Sequence, residues 1–491
     1  MKTAEIENSF GKMRNIQLYN SLSNSIENFQ PIDPENVRIY ACGPTVYASP
    51  HIGNARPIVV FDILFRVLKK LYNGKVTFAR NITDVDDKIN KKARELGISI
   101  RELTDKVIEE FHSNISKLNV CPVTYEPRAT DHINEMLDII QKLMDNGYAY
   151  EAAGHVLFRV KKLASYGKLS KRNVDEMIAG SRVEVAPYKE DPMDFVLWKP
   201  SEEGTPAWKS KYSTGRPGWH IECSAMSSKY LGNKFDIHCG GQDLMFPHHE
   251  NEIAQNYGAF GELMANYWLH NGMLLIDGQK MSKSLGNIIA LDEALKRYDG
   301  EIIRYVLLSS HYQKTLNWTE QAVHQAKQAL NRLYGALKKT DCETLTQNED
   351  QNGGECHHNQ ADDGSAVLDA LCTNLNTPLA LTALHELADK IYKTEDKSEI
   401  RKLCVLLKQE ADYLGLLNKK ADIWFKQNCT NNNDTNATIS EDEIEKLISE
   451  RAEAKSRKDY KSADEIRKKL LDMNIQIEDT KYGTTWRIVL D

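Results

Sequence analysis

A chain of 491 residues is too long for one compact core and implies two to four domains. Its 41% hydrophobic and 27% charged residues are those of an ordinary globular protein, and no run approaches the ~20 apolar residues of a membrane helix, which argues against a bilayer partner. The net charge of −7 excludes a globally basic nucleic-acid binder, so any RNA-facing surface must gather its positive charge locally.

Met1 to Met13 is polar and carries acids, unlike a signal or transit peptide, so a cytoplasmic location is expected. Val37 to Ala41 predicts the first clear strand, ending in Cys42-Gly43-Pro44-Thr45. A loop with His51-Ile52-Gly53-Asn54 follows, then an apolar helix from about Pro57 to Tyr72, with Pro57 in its first turn. Lys75 to Ile82 predicts a second strand, and Thr83-Asp84 a cap for a helix from Val85 to Leu96. This alternation predicts an α/β fold with a Rossmann-like, doubly wound parallel sheet. The short polar elements of residues 121–205 read as an insertion between its halves. Strands at Lys234 to Cys239 and Tyr267 to Ile276 flank a helix from Phe246 to Tyr257. The loop Asp277-Gly278-Gln279 then leads into Lys280-Met281-Ser282-Lys283-Ser284. Leu291 to Leu417 has a helical pattern interrupted by a polar loop at 341–365. Gln427 to Ser440 reads as an Asn-rich linker, followed by a helical pair and a hairpin, Ile475 to Leu490, turning at Gly483.

His51-Ile52-Gly53-Asn54 stands between a strand end and a helix start, where an open α/β sheet binds ligands and free N–H groups meet phosphate. Gly53 permits close backbone approach. Lys280 to Ser284 puts two cations and two hydroxyls on one loop, suited to phosphate oxygens. In this order the two motifs resemble the HIGH and KMSKS signatures of class I aminoacyl-tRNA synthetases. That resemblance implies attack of an amino-acid carboxylate on the α-phosphate of ATP, supplied with Mg2+. The carboxylate is already ionised at neutral pH, so positioning and charge stabilisation carry the catalysis. The catalytic residues implied are His51, Asn54, Lys280 and Lys283, with His51 on the phosphates and both lysines on the departing pyrophosphate. ATP binding would add Gly53, Met281, Ser282 and, at the ribose, Asp243. Asn54 departs from the signature, which ends in a second histidine; asparagine donates a hydrogen bond but carries no charge.

Nine scattered cysteines, an odd number, suit reduced thiols or metal ligands rather than a disulfide framework. Cys42, Cys223, His248 and Glu252 make a donor set that zinc accepts at ~2.0–2.3 Å, and the last two lie four apart on one helix face. His249 with Glu252, at a spacing of three, is a competing pair that helix geometry leaves open. The strings Cys42 to Tyr47, Trp219 to Cys223 and His248 to Glu252 together resemble cysteinyl-tRNA synthetases, over about residues 36–300 and more weakly to the C-terminus. The resemblance implies Cys42, Cys223, His248 and Glu252 as ligands of one Zn2+ per chain. It implies a cysteine pocket made by Cys42, Gly43, Thr83, Trp219 and His248. An apolar pocket separates cysteine from serine by only about 10²-fold, whereas zinc binds thiolate strongly, so the short insertion need not edit.

Residues 451–469 carry eight cations, among them Lys455 and Arg467, against four acids. Charge alone suits a solvated helix face as well as an RNA footprint. The end of the chain resembles the anticodon-binding domain of the same family. This implies tRNA contacts by Lys455, Asp464, Arg467, Asp479, Trp486 and Arg487, with bases read by stacking and edge hydrogen bonds. The organisation implied is 1–120 and 206–290 as the two halves of the catalytic domain, the second ending in the KMSKS loop. Residues 121–205 would be the connective insertion, 291–425 a helical bundle touching the tRNA stem, 426–440 a linker and 441–491 the anticodon-binding domain. The reaction expected joins L-cysteine to tRNA(Cys) through cysteinyl-adenylate, in a monomer. A ligase that passes cysteine to an amino sugar would lack residues 441–491, and a non-catalytic paralogue predicts damaged motifs, of which Asn54 is the one sign. Cys356, His357 and His358 lack a fourth partner and predict no second metal site.

Overall fold

A computed structural model of the chain describes residues 14–172, 186–282, 284–339, 364–429, 441–472, 475–480 and 483–488. Four parallel strands form its central sheet, in the order Ala265–Asn271, Phe235–Gly241, Val37–Ala41, Val76–Arg80. A parallel sheet must be covered on both faces. The two-residue alternation serves this: Ile39, Ile237, Cys239 and Leu269 share one core with the helix Ile52–Leu71. Tyr40, Ala79 and Trp268 share the other with the helices Trp219–Leu231 and Glu250–Phe260. The chain winds outward in one direction from Val37–Ala41 and in the other from Phe235–Gly241. Their adjacent carboxyl ends, at Cys42 and Gly240, therefore flank the switch point where such sheets bind ligands.

Between residues 149 and 217 the chain, expected to form an insertion over 121–205, builds an antiparallel sheet of five strands in the order Ala149–Ala152, His155–Phe158, Phe195–Pro200, Thr214–Pro217, Trp208–Lys209. It continues past residue 205 to Pro217, because Thr214–Pro217 pairs with Phe195–Pro200. The predicted strand Tyr267 to Ile276 is interrupted: Leu274–Ile276 leaves the central sheet to pair with Gln279–Lys280 and, in parallel, with Leu316–Trp318. That last strand lies inside the stretch Leu291 to Leu417, ahead of its polar loop, where the sequence pattern reads as helical. Beyond it, the helices Glu320–Lys338, Ala366–Cys372, Thr377–Lys393 and Lys397–Asp412 pack through Leu333, Leu371, Leu384 and Leu407. At the C-terminus, helices Glu441–Ser456 and Tyr460–Asp472 and the hairpin Ile475–Thr480/Gly483–Ile488 enclose a small core of Ile444, Ile448, Leu470, Ile475 and Ile477.

Two helix starts differ from the sequence expectation. The first begins at Ile52, not Pro57, because His51 caps it; Pro57 sits inside, where it costs one backbone bond early in the helix. The second begins at Asp87 with Asp86 as cap, its carboxylate accepting from Lys88 N. Thr83 and Asp84 are turned inward instead: Thr83 Oγ1 donates to Glu222 Oε2 over 3.1 Å, and Asp84 accepts from Thr130. The polar loop with Cys356, His357 and His358, and most of the Asn-rich linker, lie outside the described residues.

Candidate active site and metal centre

Gly43 starts the site. A Cβ there would stand 1.6 Å from the carbonyl oxygen of Asn81, so only glycine lets the two strand ends close up. Its N–H donates to Asn81 Oδ1 at 2.9 Å. The preceding Cys42 points its thiol at Cys223 from the helix Trp219–Leu231, with 3.7 Å between the two sulfurs. Glu252 Oε1 lies 3.5 Å from Cys42 Sγ and 2.9 Å from His248 Nε2. These four donor atoms lie within 4.8 Å of one another. Tetrahedral zinc with ~2.3 Å bonds to sulfur holds two thiolates roughly 3.8 Å apart, so the observed pair fits that ion and is too open for a disulfide. In a second group, Cys42, His238, His249 and Glu252, the donor atoms also lie within 4.8 Å of one another. The competing role for His249 foreseen in the sequence therefore has a geometric basis, with its Nε2 3.4 Å from Cys42 Sγ.

The imidazoles around this cluster are tied in series. His238 Nε2 reaches Glu252 Oε2 at 2.8 Å, His220 Nδ1 reaches His248 Nδ1 at 2.9 Å, and His249 Nδ1 reaches His270 Nε2 at 2.8 Å. Burial would raise the Glu252 carboxyl, but His238 and His248 hold it well below the usual range. Burial likewise opposes a charge on His248, yet the Glu252 carboxylate and the Cys223 thiol lift it to about 10. Burial also pushes the Cys42 thiol up, and its hydrogen bond draws Cys223 down. The cluster is thus a buried, strongly polarised donor set. The sequence reading passed over His220, His238 and His270. His238 was legible in principle, since it alternates with the apolar Ile237 and Cys239 on a central strand. Thr83 is buried beside Glu222, whereas Trp219 remains 40% exposed and stacks on His248.

The phosphate motifs meet at the amino end of the helix Ile52–Leu71. His51 Nδ1 accepts the Asn54 backbone N–H at 3.2 Å, and Asn54 Oδ1 accepts the His51 N–H at 3.1 Å, a reciprocal cap. A Cβ at Gly53 would meet both the His51 ring, at 3.0 Å, and the Met281 methyl, at 3.2 Å, which brings the two motifs into contact. Burial lowers the His51 pKa, against the opposing charge of Asp243, which sits in the exposed turn Gln242–Leu244. Lys280 is exposed in its short strand. Ser282 N donates to Asn287 Oδ1 and Asn287 Nδ2 to Lys280 O, so Asn287, unnoticed in the sequence, braces the loop. Lys283 lies outside the described residues.

In the C-terminal unit, Asp479 accepts two bonds from Arg451, at 2.8 and 3.0 Å, and others from Lys455 and Thr484. Two residues expected to face RNA, Lys455 and Asp479, therefore bind each other. Trp486 packs on the small core and donates to Glu445, while Asp464 and Arg467 are exposed. Arg487 lies on the second hairpin strand, and its side chain is outside the described set.

Residues 28–328 match the tRNA synthetases class I (C) catalytic domain, 366–418 the DALR domain and 440–487 the cysteinyl-tRNA ligase anticodon binding domain. The cysteine–tRNA ligase of Paramagnetospirillum magneticum is 49% identical over 96% of this chain and 99% of its own. That of Xanthobacter autotrophicus is 47% identical over 96% and 99%. Among solved structures, Mycobacterium tuberculosis methionyl-tRNA synthetase with methionyl-adenylate superposes with a TM-score of 0.54 at 15% identity, covering 80% of this chain and 93% of its own. That likeness bears on the fold alone.

Proposed function

The chain belongs to the cysteine–tRNA ligases, class I aminoacyl-tRNA synthetases whose substrates are ATP, the amino acid and tRNA, and on that premise we propose that zinc bound by Cys42, Cys223, His248 and Glu252 selects the substrate by its thiol. The observation that carries this is the convergence of four donors at the carboxyl ends of the parallel strands, beneath the exposed face of Trp219. Cys42 is the most accessible of the four, so an incoming ligand approaches from its side and Trp219's. The group with two thiols is the one assigned to zinc, a metal that readily takes cysteine ligands; His238 and His249, bonded to Glu252 and His270, then support it. When bound, zinc supplies a Lewis-acid partner for thiolate that a serine hydroxyl matches poorly.

Gly43, Thr83, Trp219 and His248 shape the cysteine pocket in this reading, and Glu222 fixes the Thr83 hydroxyl. His51 works as a neutral donor. Its Nδ1 accepts from Asn54 N, so the ring proton sits on Nε2 and points to a phosphate oxygen of Mg-ATP. Gly53, Met281 and Ser282 bound the nucleotide, Asp243 meets the ribose, and Lys280 with Lys283 stabilises the leaving pyrophosphate. Asn54 contributes by orienting His51. In the second step the tRNA(Cys) terminal ribose hydroxyl takes the cysteinyl group. Among the described residues no helix is long and apolar enough to cross a membrane. A cytoplasmic monomer, with residues 441–491 on the anticodon, completes the proposal. The test is Cys223→Ala: bound zinc falls well below one per chain and cysteine activation falls with it. A variant that keeps both sinks the ligand assignment.

A further inference from the structure

The helix Ile52–Leu71 carries His51 at its cap, and one turn further on a fully buried cation, Arg56. Among the described residues its guanidinium meets no carboxylate. Instead Nη1 donates to the carbonyl oxygens of Gly272 and Met273, both at 2.7 Å, and Nη2 to those of His311 and Lys314, at 3.3 and 2.6 Å. These four carbonyls belong to the two segments that lead into the strands Leu274–Ile276 and Leu316–Trp318. Leu275 pairs with Lys280 in the adjoining strand. The segments are drawn together so closely that a Cβ at Gly272 would stand 2.5 Å from Lys314 O. Further along the chain Ile289 and Leu291 are pinned to the same helix start, by Ile52 N on Ile289 O at 3.1 Å and Leu291 N on Pro50 O at 2.8 Å.

We infer that Arg56 is the positioning residue that sets the Lys280 hairpin against His51, so that both phosphate-handling motifs refer to one rigid helix. A planar, forked donor suits this task, because it can hold two divergent segments at fixed spacing where an ammonium cannot. The inference rests on the role proposed above for Lys280. If Arg56 acts through loop placement, its loss harms the step that forms adenylate and spares both cysteine recognition and transfer to tRNA.

The experiment measures ATP–pyrophosphate exchange on the full chain, normalised by active-site titration, for Arg56→Lys and Gly272→Ala. A displacement near 1 Å costs about 10²-fold, so exchange kcat should fall about 10- to 100-fold. The cysteine KM should stay within about twofold, zinc content should hold, and single-turnover transfer from preformed cysteinyl-adenylate should be unchanged. Gly272→Ala loosens the same tie from the opposite side and should show the same split. Unchanged exchange, or a joint decline of exchange, cysteine binding and transfer, overturns the role. Lys280→Ala run in parallel separates the two levels: if it exchanges normally, the assignment of Lys280 fails. If it loses exchange while Arg56→Lys does not, only Arg56's role fails.

Discussion

Trp219 lies over the imidazole of His248, ring centres 4.2 Å apart and planes inclined by 28°. The two come from different helices, and the stack sets a partly exposed indole against a buried donor of the cluster. In the proposed reading, a substrate side chain reaching the cluster passes beside this indole.

Replacing Trp219 with alanine removes that face and leaves the donors in place. Aromatic pairs of this kind contribute about 0.5–1.5 kcal/mol, so the cysteine KM should rise about 2- to 10-fold with zinc content unchanged. Steady-state exchange kinetics beside zinc analysis decide it. Loss of zinc in Trp219→Ala would make the indole a support of the site instead of a wall of the pocket.

Asn54 and His51 cap each other, which supports the orienting role proposed for position 54. Asn54→Ala should lower exchange less than about tenfold, in keeping with ~1 kcal/mol for a cap. If His51 is the phosphate donor proposed above, His51→Ala should cost about 10²-fold or more. Equal losses would give Asn54 a phosphate contact of its own.

Glu301 provides a pH signature far from the cluster. Burial raises its carboxyl to about 7, despite bonds from Leu417 N and Tyr334 Oη. A raised acid binds its proton more tightly when folded. Its contribution is therefore full below the unfolded value near 4.5 and is lost as pH rises toward 7, on the order of 3 kcal/mol. Glu301→Gln keeps a neutral group throughout, so its melting temperature relative to the parent should increase from pH 5 to pH 8. An equal difference at both values would contradict the shift.

The Arg451–Asp479 fork makes Asp479 a structural anchor of the terminal hairpin. Asp479→Ala should raise the KM for tRNA while the ranking of anticodon variants stays the same. A changed ranking would restore Asp479 as a base reader.

The parallel sheet was legible because its strand–helix–strand–helix order is written locally, and the candidate donors because they fall in short strings such as Trp219 to Cys223. The sequence concealed what depends on long-range closure. Pro57 pointed to a helix start that His51 pre-empts, since capping by an imidazole is not a compositional signal. Thr83 and Asp84 read as a cap but are claimed by Glu222 and Thr130, far away in the chain. Arg56 drew no notice in the sequence, because its four partners are backbone carbonyls and leave no mark on residue type.

The most direct test of thiol selection is ATP–pyrophosphate exchange with cysteine and with serine, with zinc measured on the same preparation. The account predicts about one zinc per chain and serine-dependent exchange more than about 10²-fold below cysteine, beyond what an apolar pocket achieves. Full cysteine selectivity in enzyme stripped of zinc, or serine activated nearly as well by the zinc form, would contradict it.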